Sequence, residues 1–391
     1  MLRLKCILFW TTSAFLWGCG SPTSFETIHF QLNDSTQAVF PVDRQPERWV
    51  LTNGAEALVL PKIDDAKFSV PVFNGSFQLT SENQGHWTDS LRPNGPNGES
   101  YRVAFQIQSG TKQPSSDTIS GTWDVWFEAT PGDEAATAQL DLKTTAAGVS
   151  GTIRTPTGDY RYLNGSFRDQ QLDLQTFDGA HLFAIHAKRD GNQWVNGSFY
   201  SGNHYHTFWS GVGAQPWPVH ESTATFEVPL DSLYVRVVNR AGGLESLSLV
   251  PDTGQTRVVD ILGSWCPNCM DEVRLLKELH EAYSTEIMSI AFERPEDLQQ
   301  SFDRIDQFQS LMNIPWDIHL GGRASKSIAA DAFPFLENVV SFPTTLFIQH
   351  DGTVTVHSGF NGPATGDRYE AEQATFKRLS QRSVTASLES R

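Results

Sequence analysis

The chain has 391 residues, 39% of them hydrophobic, with 30 Gly and 20 Pro. That excludes a collagenous or wholly disordered chain and leaves length for about two or three domains with sizeable cores. Acidic residues outnumber basic ones 45 to 29, a formal net charge of −16, which argues against nucleic acid as the main partner because phosphate binding needs Lys/Arg patches. No uninterrupted apolar run reaches the roughly 20 residues of a membrane-spanning helix. Four cysteines are too few for a disulfide scaffold of this size.

Residues 1–20 read MLRLKCILFWTTSAFLWGCG. Arg3 and Lys5 make a short basic start, and Cys6 to Trp17 is an apolar run of signal-peptide length. Leu16-Trp17-Gly18-Cys19 resembles a bacterial lipoprotein signal box, with Trp17 bulkier than usual at its place. The resemblance implies a signal peptide over 1–18 and a lipid on Cys19. The protein would then sit in the cell envelope, anchored to a membrane and facing the periplasm or the exterior. The alternative is an ordinary cleaved signal peptide and a chance Cys. With Cys6 discarded and Cys19 acylated, Cys266 and Cys269 alone remain as thiols. An exported protein meets conditions in which disulfides persist, yet no pair is left for a structural bridge. The remaining pair points to chemistry.

Residues 19–212 read as a β-rich domain of unassigned role. Strands are expected at Phe68–Thr80, Tyr101–Gln108, Gly121–Ala129, Ala138–Thr144, Val149–Arg154, Tyr160–Asn164, Leu172–Phe177, His181–Lys188, Trp194–Tyr200 and His204–Ser210. Gly, Asn and Asp separate them, and Asp178-Gly179 and Asp190-Gly191 are hairpin signals. The expectation is an antiparallel sandwich or open barrel of roughly ten strands. Asn-Gly-Ser-Phe occurs at 74–77, 164–167 and 196–199. It reads as strand ends where Gly relieves the backbone, or alternatively as glycosylation sequons. His204 and His206 would share a strand face, more often a packing pair than metal ligands, and no metal is expected. Tryptophans in this half are read mainly as core, with a carbohydrate or apolar ligand site as the alternative. A Pro-bearing joint at 213–221 ends the domain.

From 222 to 382 the pattern changes to strands alternating with helices, followed by a tail at 383–391. Arg257–Leu262 is a buried-strand pattern running into Gly263-Ser264-Trp265-Cys266-Pro267-Asn268-Cys269. Met270–Ser284 is helical, with Val273, Leu276, Leu279 and Tyr283 on one stripe and Asp271 and Glu272 in its first turn. The C-x-x-C therefore lies where a strand ends and a helix begins. Unpaired N–H groups there favour thiolate, the nucleophilic form. Cys266 should be the exposed sulfur, and Cys269, one turn on, the buried one facing it.

The Trp265–Cys269 motif resembles the active site of the thioredoxin superfamily, most closely the TlpA-like thiol–disulfide oxidoreductase lipoproteins grouped with the redoxin and alkyl hydroperoxide reductase/thiol-specific antioxidant families. Asp260 stands where thioredoxins keep a buried acid that exchanges protons with the second thiol. Phe342-Pro343-Thr344-Thr345, before a strand at Leu346–Gln349, resembles the loop that holds a cis-proline against the disulfide. Helix-patterned residues Leu298, Phe302, Ile305 and Phe308 match the insertion of TlpA-like domains. The resemblance implies a two-domain protein whose C-terminal part has an α/β thioredoxin-like fold. Its catalytic residues would be Cys266, Cys269, Asp260 and Pro343, supported by Trp265, Pro267, Asn268, Phe342 and Thr344, with no cofactor. The Pro267-Asn268 pair is not among the family's commonest, and Phe342 stands where Gly or Val is frequent.

The mechanism implied is thiol–disulfide exchange, in the reducing direction rather than the oxidising one. Partners would be disulfide- or thiol-bearing exported proteins and a membrane or soluble electron donor. Glu293 is a further candidate for the proton path. Half of a zinc site is the other reading of C-x-x-C, but no second such pair exists. Two alternative functions stand beside this one. The first is a thiol peroxidase, though the Thr-x-x-Cys context is absent. The second is a ligand-binding surface lipoprotein in which residues 25–211 matter most.

Overall fold

The computed structural model describes residues 25–90, 101–110, 117–128, 136–214, 223–252 and 255–381. The expected signal peptide, Cys19, most of the 213–221 joint and the 383–391 tail lie outside these residues.

The N-terminal half holds two closed barrels, where a single sandwich or open barrel was expected. The first comprises β1 (Phe25–Gln31), β2 (Gln37–Gln45), β3 (Arg48–Asn53), β4 (Glu56–Asp64), β5 (Lys67–Val70), β6 (Gly75–Ser81), β7 (Gln84–Asp89) and β8 (Tyr101–Gly110). β8 alternates strictly, with Tyr101, Val103, Phe105 and Ile107 turned inward. Such a strand buries only one face. Pairing β8 back onto β1, with Phe30 opposite Phe105, closes the barrel and removes its free edges. The second barrel comprises β9 (Ser120–Phe127), β10 (Ala138–Thr145), β11 (Gly148–Thr155), β12 (Gly158–Asp159), β13 (Leu163–Arg168), β14 (Gln171–Phe177), β15 (Leu182–Asp190), β16 (Gln193–Ser201) and β17 (Tyr205–Gly213). It closes through β9–β17 and β10–β11, and the two-residue β12 is an appendage hairpinned on β11.

Both interiors are filled with rings. Phe30, Phe40, Trp49, Phe68, Phe77, Trp87 and Phe105 pack inside the first barrel, and Trp123, Trp194, Trp209 and Phe167 inside the second. An eight-stranded barrel is just wide enough for side chains to do this. The two barrels share one core at their junction. Phe177, at the end of β14, enters the first barrel and stacks on Phe30 with centroids 5.3 Å apart. It also meets Trp87 edge-on at 5.0 Å. Beside it, Asn53 donates to Thr176 Oγ1 at 2.9 Å.

The expected strand at Tyr160–Asn164 is broken. Arg161 takes φ +56°, and its N–H donates to Asp159 Oδ2 at 2.9 Å, so the chain turns before β13 resumes at Leu163. His204 lies in the turn before β17, hydrogen-bonded to the Tyr101 hydroxyl, while His206 stacks on Tyr200. The two do not form the same-face pair expected.

The C-terminal unit is an eight-stranded mixed sheet. Its members are β18 (Thr223–Glu227), β19 (Tyr234–Val238), β20 (Leu244–Ser248), β21 (Arg257–Leu262), β22 (Glu286–Glu293), β23 (Ile318–Arg323), β24 (Thr344–Ile348) and β25 (Thr353–Ser358). The order is β18-β25-β24-β21-β22-β23-β19-β20, with β21–β22–β23 parallel. Helices α1 (Pro267–Tyr283), α2 (Leu298–Met312) and α4 (Asp367–Ser380) share a core with one face of the sheet. α3 (Lys326–Ala332) packs on the other. β21 is buried on both faces, as central parallel strands are. Val258 and Leu262 point toward α1, Val259 and Ile261 away from it. Period two therefore sends Asp260 to the α1 side.

Phe177→Ala should lower stability by about 3–5 kcal/mol, since it removes a ring from a shared core that cannot refill the space. Urea unfolding followed by tryptophan fluorescence measures it. A loss below about 1 kcal/mol would mean that the ring does not join the barrels.

Candidate redox site

β21 ends at Leu262, and the next four residues turn the chain into α1. Cys266 is the N-cap, extended at φ −105°, and Pro267 at the first helical position carries the φ a helix start needs. Cys269 N–H donates to Cys266 Sγ at 3.3 Å, which places the sulfur on the orphan donors of the helix start. Cys266 Sγ also donates to the carbonyl of Phe342 at 3.5 Å. The Phe342–Pro343 peptide is cis. Thr344 Oγ1 donates to Ser341 O, and Ser341 Oγ to Pro343 O, each at 2.9 Å, tying that loop to itself. Trp265 precedes Cys266 in the chain, and its ring is held from several sides. Its Nε1 donates to Phe292 O at 2.9 Å, Phe342 lies 5.6 Å away, and the Arg294 guanidinium lies 4.4 Å from its centre.

Both cysteines are free thiols. Cys269 is fully buried, but Cys266 is only 6% exposed, so the expected open sulfur is a covered one. The β11–β12 hairpin of the second barrel sits on the two residues that follow Cys266. Asn268 Nδ2 donates to Asp159 O at 3.2 Å, and Arg161 Nη1 donates to Pro267 O at 3.1 Å.

Beneath the dithiol lies a buried acidic pocket. Asp260 is fully buried, and burial pushes its carboxyl up to about 7 against a 3.0 Å bond from Ser289 Oγ. Ser289 is held in turn by Trp316 Nε1 at 2.8 Å. Asp260 Oδ1 has no hydrogen-bond partner among the described residues. Burial likewise pushes the Cys269 thiol well above its ordinary range, helped by its hydrogen bond to Cys266 and by the negative charge of Cys266 and Asp260.

Glu272, expected in the first turn of the helix, is fully buried. Burial and then the Asp260 charge raise its pKa well above the carboxylate range, while Thr345 Oγ1 donates to it. Asp271 is also buried, paired with Arg161 and Arg274. α1 begins three residues earlier than expected, so both acids fall in its second turn, and Tyr283 at its end is exposed. Glu293 accepts from Ser264 N at 2.9 Å and Ser264 Oγ at 2.8 Å, and burial raises its pKa. It braces the strand-to-helix turn, at the opposite side of Trp265 from Cys266 in the chain.

A neutral acid and an unpartnered carboxylate oxygen under a buried thiol make a proton store next to a sulfur that must lose a proton to react. Groups so strongly coupled titrate as a set rather than singly.

No family model matches the chain, and no curated protein matches it. Among solved structures it is similar to a secreted Mycobacterium tuberculosis disulfide oxidoreductase homologous to E. coli DsbE, at 16% identity over 37% of this chain and 98% of that one, with a TM-score of 0.27. It is also similar to a thiol-disulfide oxidoreductase from Bacteroides fragilis, at 16% identity over 37% and 98%, TM-score 0.25. StoA from Bacillus subtilis is matched at 16% identity over 40% and 97%, TM-score 0.25.

A carboxyl raised to about 7 from an ordinary 3.8 lowers stability as pH rises between those two values, because folding must hold a charge it disfavours. Asp260→Asn removes that cost. The variant's stability advantage over the unaltered chain should grow by about 2–3 kcal/mol between pH 5 and pH 8. Isothermal denaturation at both values measures it. A difference independent of pH would place Asp260 as an ordinary ionised carboxylate.

Proposed function

We propose that the protein is an extracytoplasmic thiol–disulfide oxidoreductase that reduces disulfides of exported molecules and is anchored by a lipid on Cys19. One observation carries the reading. Cys266 Sγ caps α1, touches Cys269 N–H and lies against the Phe342 carbonyl of the cis-proline loop. A nucleophile, its resolving partner and a backbone edge that a substrate strand could pair with thus meet at one sulfur.

The steps balance as follows. The Cys266 thiolate attacks one sulfur of the substrate disulfide, forming a mixed disulfide and releasing the other sulfur as a thiolate that takes a proton. Cys269 gives its proton to the Asp260 carboxylate and attacks Cys266. The second substrate thiol departs, and the Cys266–Cys269 disulfide remains. Two electrons pass from the protein to the substrate, and an external dithiol donor returns them. With its pKa near 7, Asp260 is a base in roughly half the molecules at neutral pH, the condition that suits a proton acceptor. Pro343 lacks an N–H, so it offers the approaching chain no competing donor at that position.

Cys266→Ser should slow the reaction of the pre-reduced protein with 5,5′-dithiobis(2-nitrobenzoate) by at least about a hundredfold. Stopped-flow release of the nitrothiobenzoate reports it, and a retained rate would remove Cys266 as nucleophile. Cys269→Ser should instead stop at the mixed disulfide, visible as a covalent adduct by intact mass under non-reducing conditions. Release of both substrate thiols by that variant would show that Cys269 does not resolve.

A further inference from the structure

The second barrel reaches the redox motif at two points and the loop after β25 at two more. Asp159 O receives Asn268 Nδ2, and Pro267 O receives Arg161 Nη1. The Asp159 carboxylate receives Gly362 N–H at 2.7 Å, from the loop after β25. Finally, the Thr157 backbone lies so close to Gly359, at φ +80°, that a Cβ there would stand 2.7 Å from it. Gly158 is seated as tightly: at φ +139° a Cβ would fall 2.2 Å from Asn268 Nδ2 and 3.2 Å from Phe360 O. Close approach of two backbones with left-handed glycines at the contact is a fitted joint. Three segments meet at the cis-proline side of the dithiol: the motif itself, the cis-proline loop, whose Phe342 carbonyl lies 3.5 Å from Cys266 Sγ, and the 359–362 loop, whose Gly359 N–H donates to Pro343 O at 3.0 Å. The hairpin sits on the first and the third. Outside those contacts, Trp265, next to Cys266 in the chain, and Phe342 are both half-buried.

We propose that the Thr155–Arg161 hairpin is the specificity element of this dithiol. It excludes disulfides carried on the surface of folded proteins and admits small disulfides, or ones on a single extended segment, along the Trp265–Phe342 border. The inference rests on the oxidoreductase reading and names its substrate class. It also assigns a role to Asn268, whose amide reads the hairpin backbone and not the substrate. Each exchange is the balanced one above: one substrate disulfide becomes two thiols as the Cys266–Cys269 bond forms.

The test uses the full chain with Cys6→Ser and Cys19→Ser, so that only one thiol pair reports, reduced beforehand and freed of reductant. Second-order rate constants are measured with 5,5′-dithiobis(2-nitrobenzoate) and with insulin. Their ratio is compared with that of dithiothreitol, which has no steric preference. The protein's preference for the small disulfide should exceed that of dithiothreitol by about a hundredfold. Gly158→Ala, a wedge against Asn268, and Asp159→Ala, which frees Gly362, should each return at least about tenfold of that preference to insulin. A ratio equal to that of dithiothreitol overturns the inference and leaves the oxidoreductase reading standing. So does a preference that neither variant changes. Reaction with neither disulfide overturns the oxidoreductase reading itself. If the variants do not fold, alkylation of Cys266 in Cys269→Ser decides. Iodoacetamide should outpace a polyethylene-glycol maleimide far more than it does on a free thiol, and equal discrimination overturns the inference.

Discussion

A single buried guanidinium holds the three units around the dithiol. Arg161, with a side chain 8% exposed, comes from the second barrel. It pairs with Glu56 of the first barrel and with Asp271 of α1, lies 4.0 Å from Asp178 of its own barrel, and donates to the Pro267 carbonyl inside the motif. Taking such a charge from water costs several kcal/mol, and only good geometry with several partners offsets that cost. An arginine suits the task because its planar fork presents five donors in fixed directions. Three carboxylates from three units supply the compensation, so the units cannot separate without stranding a charge. Breaking such a cluster by removing one partner typically costs about 3–5 kcal/mol. Position follows from this. The hairpin carrying Arg161 is drawn onto the motif because its partners stand on α1, and the motif is held because α1 cannot shift without losing Arg161.

The pocket under the sulfurs is built on the opposite principle. Asp260, Glu272 and Cys269 are fully buried, and within that pocket no cation is paired with them at salt-bridge distance among the described residues. Desolvation therefore raises the pKa of each, and each one's charge would raise its neighbours' further. The arrangement would be wasteful in a purely structural core, where apolar side chains of similar volume serve as well or better. It suits a site in which a proton must leave one sulfur and return later. The contrast with the Arg161 cluster is instructive. Paired buried charges fix geometry, whereas unpaired buried acids store protons.

Local chemistry was legible in the sequence where one segment carries the whole pattern. The run RVVDIL before Trp265–Cys269 gave a buried strand, a helix start and the two sulfurs in order. Phe342-Pro343 marked the loop that meets them. What failed was information held by distant pairings. Closure of the two barrels rests on Phe30 opposite Phe105 and on Trp209 opposite Phe127. Both join strands far apart in the chain, so no window shows them. Asp271 and Glu272 looked like ordinary helix-start acids. Their burial depends on the helix beginning at Pro267 and on distant partners, Arg161 for Asp271 and Thr345 for Glu272. The seat of the hairpin on Pro267 and Asn268 was invisible for the same reason. Arg161 sits in a stretch that reads as strand, and only its left-handed backbone, stabilised by the Asp159 carboxylate, turns it toward α1.

Packing inside the barrels bears on why they are there at all. A barrel serving as a binding cup keeps an internal void, and one that works as a scaffold fills it. Trp49 stacks on Phe68 with centroids 4.2 Å apart, Trp87 and Phe177 close the space beside Phe30, and Trp194 stands between Trp123 and Trp209. Rings used this way leave the outer loops as the parts free to carry function. Among the described residues, the 155–161 hairpin reaches Pro267 and Asn268. The first barrel contributes from its own side. The carbonyl of Val72, a β-branched residue at φ +69°, accepts from Arg304, which also donates to the Ser264 hydroxyl two residues before Cys266. A branched side chain is held in that conformation only where surrounding contacts over-determine it. Each rigid cylinder thus presents one loop to the same short turn, and the surface left around the sulfur is set by the barrels as much as by the sheet that carries it.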